Sequence, residues 1–198
     1  VALSTSGTGT EGTDYGTVSD ITITAGSTTG TVSFTPTDDS VYEGNETGII
    51  AIDTVSGGGA TENGTQSVTL TITDNESAPT VTLTSSASSI AENAGSSLTL
   101  TATLSVATTA NVTVGISTSG TGTEGADYAT VSDITITAGS TTGTASFTPT
   151  DDSTFEGDET GIIAIDTVTG GSATEDGTQS VTITISEDDS GPAFSISN

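Results

Sequence analysis

"SLTLTATLSV", residues 97–106, decides the fold. Leu98, Leu100, Ala102, Leu104 and Val106 stand at every second position, and Ser or Thr fills every position between them. Successive side chains of an extended strand point to opposite faces, so this stretch has one apolar and one polar face. A helix would scatter the same residues around its axis. The stretch predicts a half-buried antiparallel strand.

The same alternation recurs on both sides of it. "TVTLT" (80–84), "VTVGIST" (112–118), "DITITAG" (133–139), "GTASFTP" (143–149), "TGIIAIDTV" (160–168) and "QSVTITIS" (179–186) are short β-branched runs separated by Gly, Ser, Thr and Asp. They place Val112, Val114, Ile116, Val181, Ile183 and Ile185 on inward faces, with Thr outward, and bury Ile163 and Ile165 or their neighbours. Seven short strands within about a hundred residues predict an immunoglobulin-like antiparallel β-sandwich, an all-β fold. No useful length shows helical periodicity.

The chain also repeats itself. "STSGTGTEGTDYGTVSDITITAGSTTG" (4–30) returns as "STSGTGTEGADYATVSDITITAGSTTG" (117–143). The offset of 113 residues holds without a gap from Val1/Val114 to Ser85/Asn198, and 62 of those 85 pairs are identical. A unit of that length is a normal size for one sandwich domain. "GPAFSIS" (191–197) matches "APTVTLT" (78–84), and residues 86–113 have no counterpart before Val1. The expected organisation is therefore a partial domain over 1–77, a complete domain over 78–190, and the first strand of a following repeat over 191–198. A sandwich lacking its first strands exposes apolar faces and unpaired backbone edges. A longer tandem array removes that defect and is the expected arrangement; strand exchange between copies is the lesser alternative, because the seven terminal residues could replace only the first missing strand.

Composition narrows the function. The 198 residues include 26 Asp and Glu and no Lys, Arg or His, for a formal net charge of −26. Phosphate backbones and anionic membrane surfaces are repelled by such a chain, so nucleic acid is excluded as a partner. No apolar run is long enough to span a bilayer. Cysteine is absent, so no disulfide framework exists. Nucleophilic catalysis by Ser or Thr needs a base that His or Lys would supply, and no Trp offers a sugar-stacking platform. The chain reads as a non-enzyme.

Cations are what it attracts. "TDDSTFEGDET" (150–160) holds five carboxylates in eleven residues. Asp151 and Asp152 follow the strand ending near Pro149, and Glu156 and Glu159 precede the next. Glu92 lies in "SIAENAG" (89–95), and Glu187, Asp188 and Asp189 follow the last strand. Loops of an antiparallel sandwich can bring these together at one pole. Ca²⁺ takes about six to eight oxygens and tolerates irregular geometry, whereas transition metals favour the absent His and Cys. Glu11, Asp20, Asp53, Glu62 and their repeats lie away from this cluster and read as solubilising charge.

The order "AENAG" (91–95), "ADY" (126–128), "TDDSTFEGDET" (150–160) and a terminal acidic run resembles the Calx-beta domain. That family includes the calcium-sensing domains of sodium–calcium exchangers and repeats of large bacterial surface proteins. The resemblance implies calcium ligands at Glu92, Asp127, Asp151, Asp152, Glu156, Glu159, Asp188 and Asp189, with Glu187 as a further candidate. The matching positions of the first repeat are Asp14, Asp38, Asp39, Glu43, Glu46, Asp74 and Glu76. There the counterpart of Glu92 is not in the chain, and uncharged Asn75 stands where Asp188 stands in the second repeat. The first site is accordingly expected to be the weaker.

Two functional classes fit. One is a structural repeat of an extracellular or cell-surface fibre, stalk or adhesin, stiffened by Ca²⁺, whose partners are neighbouring identical repeats or subunits. The other is a regulatory calcium sensor within a larger protein. Near-identity of adjacent repeats favours the first. The absence of Lys and Arg also leaves trypsin-like proteases no cleavage site.

Overall fold

The computed structural model describes residues 1–196. The chain divides into two compact units, Val1–Glu76 and a second from Ser77 onward. The last two residues of the 191–198 segment lie outside the described residues.

In the first unit the strands are β1 (Ala2–Gly7), β2 (Val41–Tyr42), β3 (Glu46–Thr54) and β4 (Ser67–Ile72). β3 pairs antiparallel with β1 on one side and β4 on the other, giving a three-stranded sheet. The second unit continues with β5 (Thr80–Ser85), β6 (Ser89–Ala91), β7 (Leu98–Leu104), β8 (Ala107–Thr108), β9 (Val112–Gly120), β10 (Ile134–Ile136), β11 (Thr142–Phe147), β12 (Glu159–Thr169), β13 (Thr174–Glu175) and β14 (Ser180–Ser186). One sheet runs in the order β10-β9-β12-β14-β6, the other β11-β7-β5-β13.

The alternating residues of the two sheets meet in the core of the second unit. Val81, Leu83, Leu100, Ala102 and Leu104 come from one sheet; Val112, Val114, Ile134, Ile136, Ile163, Ile183 and Ile185 come from the other. Phe147 closes one end, fully buried, with Tyr128 stacked on it at 4.8 Å between ring centroids. Gly161 makes room for that pair, because a Cβ there would stand 2.8 Å from the Phe147 ring. The periodicity of "SLTLTATLSV" is realised: Leu100, Ala102 and Leu104 are buried, while Leu98 at the strand end is half-buried.

Two short strands, β6 and β13, carry no periodic signal. β6 is three residues long and pairs parallel with β14, Ile90 beside Ile185. β13 is two residues long and pairs parallel with β5. The chain therefore starts in one sheet as β5 and crosses to the other as β6 before returning as β7. That crossing carries Glu92 to the end of β14.

The first unit repeats the β9-β12-β14 portion as β1-β3-β4. Residues 29–34 and 61–62, the counterparts of β11 and β13, are not in strands. Tyr15 is buried and lies 4.6 Å from Phe34, as Tyr128 does from Phe147, but Phe34 is only half-buried. Among the described residues no helix is long and apolar enough to cross a membrane.

Candidate metal centre

Four elements of the second unit, three loops and the end of β6, converge on its acidic pole. The first is the loop 121–128. Tyr128 anchors it in the core and bridges to Pro149. Asp127 is thereby fixed, with its carboxylate accepting from the Thr123 backbone N–H at 2.6 Å. Its carbonyl accepts from the Thr150 N–H at 2.9 Å, tying the loop to "TDD". Asp127 thus serves as both a turn residue and a member of the cluster.

The second element is the loop from Asp151 to Glu159. Gly157 takes a positive φ of 81°, which a residue without Cβ adopts freely and which turns the chain between Glu156 and Glu159. Asp152 closes a local turn by accepting from the Thr154 N–H at 2.6 Å. The third element is the end of β14. Glu187 Oε2 accepts from the N–H groups of Glu156 at 2.6 Å and Gly157 at 2.9 Å, and Oε1 accepts from those of Asp188 and Asp189. Asp158 in turn accepts from the Glu187 N–H. Glu187 therefore latches two of the three loops together.

β6 brings the remaining carboxylate. The Glu92 N–H donates to the Ser186 carbonyl at 3.0 Å, and Glu92 Oε1 accepts from the Asp152 N–H at 3.2 Å. Two groups of three carboxylates result, Glu92 with Glu187 and Asp188, and Asp127 with Glu156 and Glu159. In each group one oxygen per residue lies within 4.8 Å of the others.

The first unit builds one such group, Asp14 with Glu43 and Glu46. Asp14 is buried and accepts from the Thr10 N–H at 2.6 Å. Asp74 plays the part of Glu187, accepting from the N–H groups of Glu43, Gly44 and Glu76. Asn45 stands for Asp158 and accepts from the Asp74 N–H. A cavity of about 30 Å³ is lined by Asp14, Asp39, Glu43, Glu46, Asp74, Asn75 and Glu76.

These groups fit a hard cation. Glu92 is buried among other carboxylates, and Asp189 Oδ2 is buried with no hydrogen-bond partner among the described residues. A carboxylate oxygen removed from water and left unpaired carries a desolvation penalty that a metal ion removes. Gly122 leaves the space beside Glu159, since a Cβ there would stand 3.4 Å from its Oε2.

Proton affinities report the same crowding. Glu92 is raised above its ordinary value by desolvation, then by Glu187, Asp152 and Asp188. Glu159 is raised by desolvation, Asp127 and Glu156, and Glu156 by desolvation, Asp127, Asp152 and Glu187. Asp189 is raised by desolvation and then by Asp188, Glu187, Asp152 and Asp151. In the first unit Glu43 and Glu46 are raised by desolvation and then by Asp14. Glu76 is raised chiefly by its hydrogen bond with Asp74. Glu187 moves the other way, held down by the N–H groups of Glu156, Asp189 and Gly157. Asp74 is also lowered: desolvation pushes it up, and the N–H groups of Glu43, Gly44 and Glu76 outweigh that push.

Of the residues expected to be ligands, Asp38, Asp39, Asp151 and Asp152 are exposed and stand outside the three groups, and so do Asp74, Glu76 and Asp189. Asp39 closes a turn on the Val41 N–H, as Asp152 does on Thr154. The residues read as mere solubilising charge are corrected. Glu11 accepts from the Thr5 hydroxyl and the Val18 N–H, and Glu124 does the same with Thr118 and Val131. Asp20 and Asp133 accept from the Leu3 and Ile116 N–H groups. Glu62 and Glu175 accept from Gln66 and Gln179. They accept hydrogen bonds from partners 4 to 17 residues away, a role that composition alone does not reveal. Asp53 is exposed, as expected.

The fold and the paired acidic poles define a class: tandem all-β sandwich domains able to hold metal ions on loop carboxylates. The Calx-beta domain matches residues 1–76 and 74–189, and the chain belongs to that family. Among solved structures, "Crystal structure of Apo-form Calx CBD1 domain" is 18% identical, with 56% of this chain and 99% of that chain covered and a TM-score of 0.47. "Crystal structure of CBD12 from CALX1.2" is 16% identical, with 93% of this chain and 92% of that chain covered and a TM-score of 0.46. No curated protein matches the chain.

Proposed function

We propose that the chain is a non-catalytic structural repeat of an extracellular fibre, stalk or adhesin, in which Ca²⁺ bound at the acidic poles stiffens each domain. The observation that carries this reading is the gathering of Glu92, Glu187 and Asp188, and of Asp127, Glu156 and Glu159, in a chain with no cationic side chain. Like charges held this close repel unless a counter-charge comes from solution. An ion at the first group joins β6 to β14; one at the second joins the 121–128 loop to β12. Three loops that the apo chain holds only by Glu187 and a few backbone bonds become one cross-linked pole. Millimolar calcium outside cells suits the weak affinity of such modules.

Near-identity of the two repeats supports the structural role over a regulatory sensor, since 62 of 85 positions coincide. Titration calorimetry of the 198-residue chain with calcium, joined to small-angle scattering with calcium and with EGTA, tests the reading. Heat of binding and a longer, less variable particle in calcium are expected. Absence of binding, or identical scattering in both conditions, rejects it.

A further inference from the structure

In the first unit β3 leaves the acidic pole at Glu46 and β4 runs back toward Asp74, so the loop 55–66 between them stands at the opposite end from the carboxylate group. In that loop Asn63 is followed by Gly64, and both are exposed. Gly64 takes a positive φ of 70°, and a Cβ there would meet nothing within 4 Å. The second unit carries the same loop with Asp176 and Gly177. Both of these are exposed too, and Gly177 has a φ of 67° and equally open surroundings. The setting therefore belongs to the loop itself.

An asparagine before glycine can close a ring on its own backbone. The side-chain amide carbon is the electrophile, and the backbone nitrogen of the next residue is the nucleophile. A side chain on that next residue crowds the approach, and glycine has none. The other asparagines among the described residues precede Glu46, Glu76, Ala94 and Val112. Three of them are also tethered. Asn45 Oδ1 accepts from the Asp74 N–H, Asn111 Oδ1 accepts from the Ala138 N–H, and Asn93 Nδ2 donates to Asp188. Among the described residues no hydrogen bond holds the Asn63 side chain. Its backbone carbonyl alone is engaged, accepting from Gln66 Nε2 at 2.8 Å.

We propose that Asn63 is a self-modification site, at which the chain deamidates to the acidic loop that the second unit already carries. The Gly64 N–H gives its proton to a base from solvent, and the nitrogen adds to Asn63 Cγ. The bond from Cγ to the side-chain nitrogen breaks, and that nitrogen leaves as ammonia. A cyclic succinimide remains. Water then adds to one of its two carbonyls. Cleavage between Cγ and the Gly64 nitrogen gives aspartate; cleavage between the Asn63 carbonyl carbon and that nitrogen gives isoaspartate. Water is the sole co-reactant, and each conversion adds one negative charge.

The two products differ in what they do to the loop. Gln66 Nε2 donates to the Asn63 carbonyl and the Gln66 N–H donates to Glu62, and Gln179 makes the same two bonds with Asp176 and Glu175. An aspartate is thus already accommodated at this place, and the aspartate product keeps both bonds. Isoaspartate routes the main chain through Cγ. The carbonyl that Gln66 holds becomes a free carboxylate, and the loop grows by one methylene.

The full chain, aged at mildly alkaline pH without calcium, is the material for the test, and its outcome does not depend on the calcium reading. With no Lys or Arg to cut at, an endoprotease that cleaves before aspartate maps the sites. Mass spectrometry should find Asn63 converted ahead of Asn45, Asn75, Asn93 and Asn111. The aspartate product gains a cleavage before residue 63, and the isoaspartate product is labelled by an isoaspartyl methyltransferase. Gly64→Ala puts a side chain in the path, and Asn63→Gln demands a larger ring; each should lose the conversion over the same period. Asn63→Gln keeps the Gly64 backbone, so it remains informative if alanine at the left-handed position disturbs the loop. Asn63→Asp should melt with the unaged chain, and the isoaspartate fraction should melt lower. Conversion of Asn63 no faster than of the other asparagines overturns the proposal. So does conversion undiminished in Gly64→Ala, or an Asn63→Asp chain that melts well below the unaged one.

Discussion

The Glu187 carboxylate accepts the Glu156 backbone N–H at 2.6 Å across 31 residues of chain. One side chain at the end of β14 thereby fixes the loop that leads into β12. In the first unit Asp74 accepts the Glu43 N–H at 2.8 Å in the same way, one methylene shorter. The latch is thus a carboxylate requirement and tolerates either length. Glu187→Ala should lower the melting temperature of the second unit even without metal, and Glu187→Asp should restore most of the loss. Differential scanning calorimetry in EGTA reads both.

Metal dependence should differ between the units. The second unit gathers two groups of three carboxylates and the first gathers one. With ligand at about a hundredfold excess over Kd, one site stabilises the native state by ~2.7 kcal/mol. Calcium should therefore raise the melting transition of the second unit further than that of the first. Glu92→Gln should reduce the shift in the second unit and leave the first unchanged. Equal shifts in the two units would contradict the assignment.

The metal-free protein should become more stable as the solution is first acidified. Glu43, Glu46, Glu92 and Glu159 are raised, so the folded chain holds protons at a pH where the unfolded chain has released them. Stability then increases as pH falls from neutrality through their folded values toward the ordinary glutamate range. Glu187 and Asp74 are lowered, and their contribution, present above the unfolded values, is lost as pH falls through their folded ones. A maximum at mildly acid pH is expected in EGTA. In calcium the first slope should reverse, because protons compete with the ion. Urea unfolding at a series of pH values, with and without calcium, checks the sign.

Core packing gives a further paired test. A Cβ on Gly161 would stand 2.8 Å from the Phe147 ring, and one on Gly48 would stand 2.8 Å from Phe34. Phe147 is fully buried and has nowhere to go, whereas half-buried Phe34 can swing outward. Gly161→Ala should cost about 1–3 kcal/mol, the usual range for overpacking. Gly48→Ala should cost clearly less. Equal losses in chemical denaturation of the two variants would show that Phe34 is as confined as Phe147.

Strands long enough to show a period were legible in the sequence. Leu100, Ala102 and Leu104 are buried where "SLTLTATLSV" put them, and Ile163 and Ile183 likewise. β6 and β13 were not, because two or three residues cannot show a period of two and their pairing is decided by partners about a hundred residues away. The acidic residues of the site were visible as composition and family pattern. Their division into separate groups was not, since it depends on the parallel register of β6 against β14. Nor could sequence show that Glu11, Asp20 and Glu62 hold backbone N–H groups, because an accepting carboxylate and a solvated one look alike until the chain is folded.

The β6–β14 pairing has a mechanical consequence. Once β5 is pulled from its sheet, tension along the second unit draws the segment before β6 toward its N-terminal end and the segment after β14 toward its C-terminal end. The two strands are parallel neighbours, so that load slides them past each other. The Thr184–Ser88 and Glu92–Ser186 backbone bonds at the two ends of the ladder are then strained together. A ladder pulled in shear must lose its bonds at once, whereas an antiparallel hairpin pulled from its open end loses them one by one. Glu92, Glu187 and Asp188 sit at one end of this ladder. An ion held there would act as a rivet through the ladder that takes the load once β5 has given way.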